Sequence, residues 1–113
     1  MEKNIPITFP GGRKVSAEVN GMAIVTDQPV KEGGEGSAPT PFDLFLASLG
    51  TCAGHYAKGF CTTRNLETQG LHVDMRCSFD EKKKRYTAIT FELTLPEGFP
   101  DKYRAAILRA MEA

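Results

Sequence analysis

The chain has 113 residues, and its 14 basic side chains balance 14 acidic ones to give a formal net charge of zero. A chain of this length fits a single domain over residues 1–113, and without a field of one sign it lacks the usual means of holding nucleic acid or an anionic membrane. Its first residues lack a charged-then-apolar signal pattern, and no apolar run reaches the roughly eighteen residues of a spanning helix, so we expect a cytoplasmic protein.

The first third of the chain is predicted to form β-strands between about residues 5 and 27. Alternating segments at 14–19 and 22–25 flank Asn20-Gly21, which is the strongest short signal for a two-residue hairpin. A further strand is expected from Ile5 to Phe9.

The segment from Lys31 to Thr40 contains three glycines and has no periodicity, which predicts a mobile surface loop. A phosphate cradle is the alternative interpretation of the glycines. It is disfavoured because the Lys-Ser or Lys-Thr pair of a phosphate-binding loop is absent.

A long helix is predicted over about residues 40–65. Thr40 supplies a capping hydroxyl, Pro41 has the φ angle of a first helical turn, and Asp43 suits the positive end of the helix dipole. Apolar side chains then occupy nearly every position to Cys61, so we expect this helix to be buried nearly all round, against a sheet and a second copy of itself. Three glycines suggest close approach of another backbone: Gly50, Gly54 and Gly59.

Two alternating strands are predicted over about residues 71–95, joined by a charged turn at 80–85 to which we assign no function. A second helix is predicted over about residues 101–113, which completes an α+β fold. The side chains expected to face the core are Leu71, Val73, Met75, Cys77, Phe79, Ile89, Phe91, Leu93 and Leu95 of the strands, and Tyr103, Ile107, Leu108 and Met111 of the helix.

The three cysteines match no zinc or disulfide framework, and we expect neither a metal nor a cofactor. Cys77 is expected to be a small buried hydrophobe, and Cys61 to serve packing as well. Composition alone favours packing for Cys52 too, but His55 lies close to the same helix face and could polarise its thiol, and Arg13 is a candidate source of positive charge. Cys52 and Cys61 lie on opposite sides of the helix, roughly 13 Å apart along it, and cannot bond to each other within it.

The segment from Pro39 to Cys52 resembles the central helix of the OsmC and Ohr (organic hydroperoxide resistance) family. In that family a cysteine follows the opening proline by eleven residues, as Cys52 follows Pro41 here. The resemblance extends along essentially the whole chain and implies an intertwined homodimer with active sites at the subunit interface. It also implies that the Cys52 thiolate, kept ionised with the help of Arg13, reduces a small organic hydroperoxide by way of a sulfenic acid.

The chain departs from the family in ways that affect this chemistry. The family carries a glutamate directly after the proline, where this chain has Phe42. Asp43 comes one place later. Because one residue turns a helical side chain by about 100°, Asp43 is not expected to substitute for the glutamate. The second cysteine, with the family's last helix and strand, would follow the second helix. Either the chain is a shortened form or the residue is absent, and without it an external thiol would be the reductant. The alternative function is a non-catalytic OsmC-like dimer that binds a small apolar ligand or partner in its cleft.

Overall fold

The computed structural model describes residues 1–112, which form an α+β fold with antiparallel sheets. The chain folds as two compact units, the first Met1–Phe45 and the second beginning at Leu46, and each is described by itself. The elements in chain order are β1 (Ile7–Gly11), β2 (Lys14–Val19), β3 (Met22–Thr26), α1 (Pro41–Thr63), β4 (His72–Asp80), β5 (Arg85–Thr94) and α2 (Arg104–Met111), with short 3₁₀ turns at Val30–Glu32 and Asp101–Tyr103.

The first unit is an antiparallel meander in the order β1-β2-β3. Val19 pairs with Met22 across the turn, and both turn residues have left-handed backbones, with φ 51° at Asn20 and 79° at Gly21. These are the angles of a type I′ turn, whose twist matches that of the flanking strands. The predicted hairpin is therefore confirmed, and the first strand begins at Ile7 rather than at Ile5.

Helix α1 begins where its capping residues predict. The backbone N–H of Asp43 donates to the Thr40 hydroxyl at 3.1 Å, which satisfies one of the free donors of the first turn. The helix runs from Pro41 to Thr63, and Asn65, with φ 55°, lies just beyond its end. The predicted range of 40–65 thus holds to within two residues at each end.

Within a single chain α1 is buried on one face only, and the predicted cover of its other faces by a second copy stays a prediction. Its buried side chains lie on one face, at Leu46, Ala53, Ala57, Phe60 and Cys61. Phe42, Phe45 and Tyr56 are 50%, 55% and 40% exposed. The apolar composition does not reveal this because it marks every face alike, whereas one two-stranded sheet and one short helix cover only one of them.

No helix within residues 1–112 is long and apolar enough to cross a membrane.

The core of the second unit lies between α1, the β4–β5 hairpin and α2. Ala53, Ala57, Phe60 and Cys61 of α1 meet Phe99, Ile107 and Met111, and half-buried apolar side chains pack around them. A Cβ at Gly50 would come within 3.3 Å of the Met75 sulfur, so the close neighbour of this glycine is a side chain and not another backbone. At Gly54 and Gly59 a Cβ would meet nothing within 4 Å.

Three side chains predicted to face the core are substantially exposed instead: Phe79, Ile89 and Leu108. The core reaches only the half of the hairpin that holds Leu71, Val73, Phe91, Leu93 and Leu95, so the distal half is uncovered. Ile107 lies on the buried face of α2, and Leu108, the next residue, is turned from it by about 100° around the helix axis. The predicted second helix begins as a 3₁₀ turn, becomes α-helical at Arg104, and has its predicted end at Ala113 outside the described residues.

Candidate functional site

Cys52 is the exposed cysteine of the three, and it lies on the uncovered side of α1. Cys52 shares this side with residues spaced alternately three and four positions apart, which place side chains on one stripe of a helix. We call this stripe the exposed face of α1. It consists of Leu49, Cys52, Tyr56, Gly59 and Thr63, of which Leu49 and Gly59 are half-buried and the other three are exposed. The thiol is therefore accessible to a small molecule but lies among largely apolar neighbours.

The other two cysteines are in packed positions. Cys61 is fully buried, and this burial raises the pKa of its thiol, although Lys58 and Arg64 nearby act in the opposite direction. Cys77 is half-buried on β4 opposite Ile89. The placement of Cys61 agrees with the packing role expected from the sequence, whereas Cys77 is less buried than expected and lies outside the core cluster. A neutral, buried thiol is a poor nucleophile, so Cys61 is not equivalent to Cys52.

The two auxiliary candidates lie on α1 at different distances from Cys52. His55 is exposed three residues on, and its ring makes an edge contact with Tyr56, with 5.3 Å between centroids. Asp43 is exposed in the first turn, and nine residues of helix place it on the opposite side from Cys52. Phe42, at the position of the family's glutamate, packs against Phe45 with 5.7 Å between ring centroids.

Arg13 lies in the turn between β1 and β2, after Gly11 and Gly12, which have φ angles of 146° and 56°. Its side chain lies against the backbone of Gly33: a Cβ on that glycine would be 3.1 Å from Arg13 Nε and 3.6 Å from Cζ. Arg13 belongs to the first unit and Cys52 to the second.

A buried carboxylate in the first unit was not among the residues predicted from the sequence. Asp27 is 1% exposed, and its Oδ2 accepts hydrogen bonds from the Ser37 hydroxyl at 2.6 Å, the Ser37 N–H at 3.1 Å and the Glu35 N–H at 3.2 Å. Its Oδ1 accepts from the Gln28 N–H at 2.8 Å. All four donors stabilise the charged form, so the carboxylate carries no uncompensated burial cost.

The same hydrogen bonds hold the pKa of Asp27 well below its usual range, with the Ser37 hydroxyl as the largest cause and the Gln28 N–H next. A lowered folded-state pKa stabilises the fold above the ordinary aspartate value of about 4. That contribution is lost only as the pH falls through the folded-state value, so the network is intact at neutral pH.

The glycine-rich segment is a loop, as predicted, but it is more organised than the lack of periodicity suggested. The Gly36 N–H donates to the Gln28 carbonyl at 3.0 Å, which closes the segment on itself. At Gly34 a Cβ would stand 2.0 Å from that carbonyl oxygen, so only glycine fits. Glu35 of the same loop forms an ion pair with Lys14, beside Arg13.

The second unit, which carries Cys52, also contains an open groove of about 560 Å³ between α1 and β4. Small residues of α1 form one wall at Ala47, Gly50 and Gly54, and Val73 and Met75 form the other. Lys58 and His72 supply polar groups at its edge, where the Lys58 amino group donates to the Thr68 hydroxyl at 2.8 Å.

Within residues 1–112, no three His, Cys, Asp or Glu side chains gather in a way that could hold a metal ion.

Comparison with known proteins places the chain in a family. Its residues 34–113 match the family model for OsmC-like protein. A crystal structure from Psychrobacter arcticus 273-4, of a protein named for osmotic stress induction and a detoxification response, superposes with a TM-score of 0.81 at 20% identity and covers 98% of this chain and 82% of that one. A second solved structure, described only as structural genomics, has a TM-score of 0.68 at 17% identity and covers 96% of this chain and 78% of the other.

A comparison with curated proteins gives no match. The two solved structures are too distant in sequence to show more than a common fold. The family model, in contrast, covers well over half of the residues, and the chain therefore belongs to the OsmC-like family.

Proposed function

We propose that this protein reduces organic hydroperoxides, with Cys52 as the nucleophile. The observation that carries the proposal is the position of this thiol. It is exposed on a largely apolar helix face, in a member of the OsmC-like family, while Cys61 is buried. An apolar surround suits the organic part of an alkyl hydroperoxide, and exposure admits it to the sulfur.

In the proposed reaction the Cys52 thiolate attacks the terminal oxygen of the hydroperoxide. An S–O bond forms and the O–O bond breaks; the sulfur is oxidised by two electrons to a sulfenic acid, and the alkoxide takes up a proton to leave as an alcohol. A first molecule of external thiol then forms a mixed disulfide with Cys52 and releases water. A second molecule of thiol attacks the mixed disulfide, which restores the Cys52 thiol and leaves the two reductant molecules joined as a disulfide.

Two further points support the proposal. Arg13 provides a cation of the kind that favours a thiolate, and its side chain, although exposed, lies against the backbone of Gly33. The Psychrobacter arcticus relative in fold is named for osmotic stress and detoxification, which suits removal of a toxic peroxide. A reducing cytosol would supply the thiol reductant.

One observation favours a second function, namely binding of a small apolar molecule without turnover. The family's glutamate is replaced by Phe42, and Asp43 is on the opposite side of α1 from Cys52. The groove between α1 and β4 offers about 560 Å³ with a mainly apolar lining, which is enough for a small ligand.

A turnover assay separates the two functions. We expect the protein to consume cumene hydroperoxide catalytically in the presence of a dithiol reductant. Hydrogen peroxide should be consumed more slowly, because that molecule has no apolar group to contact the site. Many equivalents of hydroperoxide consumed per protein chain would support the peroxidase. Binding of the non-oxidising analogue cumyl alcohol with no consumption of hydroperoxide would support the ligand-binding function instead.

We also propose that the active form is a homodimer. No apolar side chain of the first unit is buried among the described residues, and Ile7, Phe9 and Met22 of its strands are more than half exposed. On α1, the alternating three-and-four spacing of the exposed face is the pattern by which two helices pack. A second copy of the chain would cover both surfaces, and the exposed face would bring Cys52 to the interface.

The dimer predicts a specific effect of charge on the exposed face of α1. Tyr56→Glu should weaken self-association at least about tenfold, because a carboxylate would be buried without a partner. Thr51→Glu is the matched control, since Thr51 is exposed on a different side of the same helix. Sedimentation equilibrium of both variants and the unaltered chain provides the measurement. A stable, folded monomer of the unaltered chain at micromolar concentration would contradict the dimer.

A further inference from the structure

The loop that precedes α1 is connected to the turn that carries Arg13 at two points. Glu35 pairs with Lys14, and the backbone of Gly33 lies against the Arg13 side chain. Both contacts join residues about twenty positions apart in sequence, so they depend on the shape of the loop rather than on local propensity. We refer to residues 28–37 as the Asp27 loop.

That shape is imposed from inside by a buried charge. The Asp27 carboxylate receives the N–H groups of Gln28, Glu35 and Ser37 together with the Ser37 hydroxyl, and therefore binds the loop at both of its ends. The N–H that Glu35 gives to Asp27 fixes the backbone of the residue whose side chain pairs with Lys14. A carboxylate with four donors is a strong and directional anchor, because charge-assisted hydrogen bonds are the stronger kind.

The backbone of Gly33 explains how the Asp27 loop accommodates the Arg13 side chain. Gly33 has φ 94°, a left-handed value that a side chain would strain, and a Cβ there would meet the Arg13 guanidinium group at 3.1 Å from Nε. The bare backbone of Gly33 is thus the surface on which the flat guanidinium group lies. A side chain at this position would shift the guanidinium group by a few tenths of an ångström.

We propose that the Asp27 loop is a positioning device for Arg13. Asp27 closes the loop, Glu35 fixes the turn through Lys14, and Gly33 supports the guanidinium group in one orientation. Arg13 otherwise extends from a glycine-rich turn, in which the backbone at Gly11 and Gly12 restrains it little. Asp27, Gly33 and Glu35 are thereby assigned as positioning residues, and the consequence for Cys52 rests on the proposed function of Arg13.

The direct test is the mobility of the Arg13 side chain, measured as the NMR order parameter of its Nε–Hε bond in the full chain. We expect an ordered side chain in the unaltered protein and a clear fall, toward values below about 0.6, in Asp27→Asn and Glu35→Gln. Glu35 is exposed, so its variant should stay folded even where Asp27→Asn does not. Glu32→Gln is the matched control, because it removes the same charge from the same loop, and among the described residues Glu32 forms no ion pair with Lys14 or Arg13. An unchanged order parameter in folded Glu35→Gln and Asp27→Asn would overturn the positioning role.

A second readout separates this inference from the proposed function. The alkylation rate of Cys52 at neutral pH should fall in Arg13→Ala, and Glu35→Gln should cause no further fall in the Arg13→Ala background. A further fall there would show that Glu35 acts otherwise than through Arg13, and would overturn the inference. If Arg13→Ala leaves the alkylation of Cys52 unchanged, the proposed role of Arg13 is wrong, while the order parameter still decides whether the loop positions it.

Discussion

Replacement of Cys52 by serine is expected to lower the rate of organic hydroperoxide consumption by at least about 10³-fold, the scale on which loss of a catalytic nucleophile acts in other enzymes. A serine hydroxyl is not ionised at neutral pH and does not take up the peroxide oxygen as a thiolate does. The measurement is the initial rate with cumene hydroperoxide and a dithiol, at equal concentrations of folded protein.

Cys77→Ala is the matched control for this substitution. Cys77 is half-buried on β4, so its removal should leave the rate within about threefold of the original. A Cys52→Ser variant that keeps most of the activity, or a Cys77→Ala variant that loses it, would move the reacting thiol away from Cys52.

Truncation of Ile107 to alanine should lower the free energy of unfolding by about 2–5 kcal/mol. Ile107 is fully buried and contributes to the core that α1 and α2 share, so the lost side chain leaves a cavity in addition to the lost burial. The measurement is a denaturant titration followed by circular dichroism.

The neighbouring residue supplies the control, because Leu108 has the same volume class and is 50% exposed. Leu108→Ala should cost less than about 1 kcal/mol. Equal losses for the two variants would show that α2 faces the core with a different side from the one described.

Local features of the fold were predictable because their causes lie within a few residues. Asn20-Gly21 prefers the left-handed backbone of a type I′ turn, and the Thr40 hydroxyl can reach the Asp43 N–H three residues on, so hairpin and helix start were both predicted correctly. The packing role expected for Cys61 agrees with its burial.

Features that depend on what covers a surface were not predictable. The side chains of α1 are apolar on several faces, and only the tertiary structure shows that Cys52 and Tyr56 are exposed while Ala57 and Cys61 are buried. Phe79 continues the alternation of β4 without interruption, but the core does not extend to that end of the hairpin.

The network around Asp27 was missed for a related reason. Its donors Glu35 and Ser37 are eight and ten residues away, and the segment between them has no periodicity that would indicate a common centre. The usable signal was an aspartate directly after a strand and before a glycine-rich segment, which is common in turns and indicates no partner. The contact of Arg13 with Gly33 likewise joins two positions that sequence spacing cannot connect.

The central claim is that Cys52 is the thiol that accepts oxygen from an organic hydroperoxide. Its most direct test is mass spectrometry of this chain after one equivalent of cumene hydroperoxide without reductant, with each cysteine-containing peptide measured separately. We predict a gain of one oxygen on Cys52 and no disulfide to Cys61, which lies on the opposite side of α1 and about 13 Å along it. Oxygen on Cys61 or Cys77, or an unmodified Cys52 after the hydroperoxide is consumed, would contradict the claim.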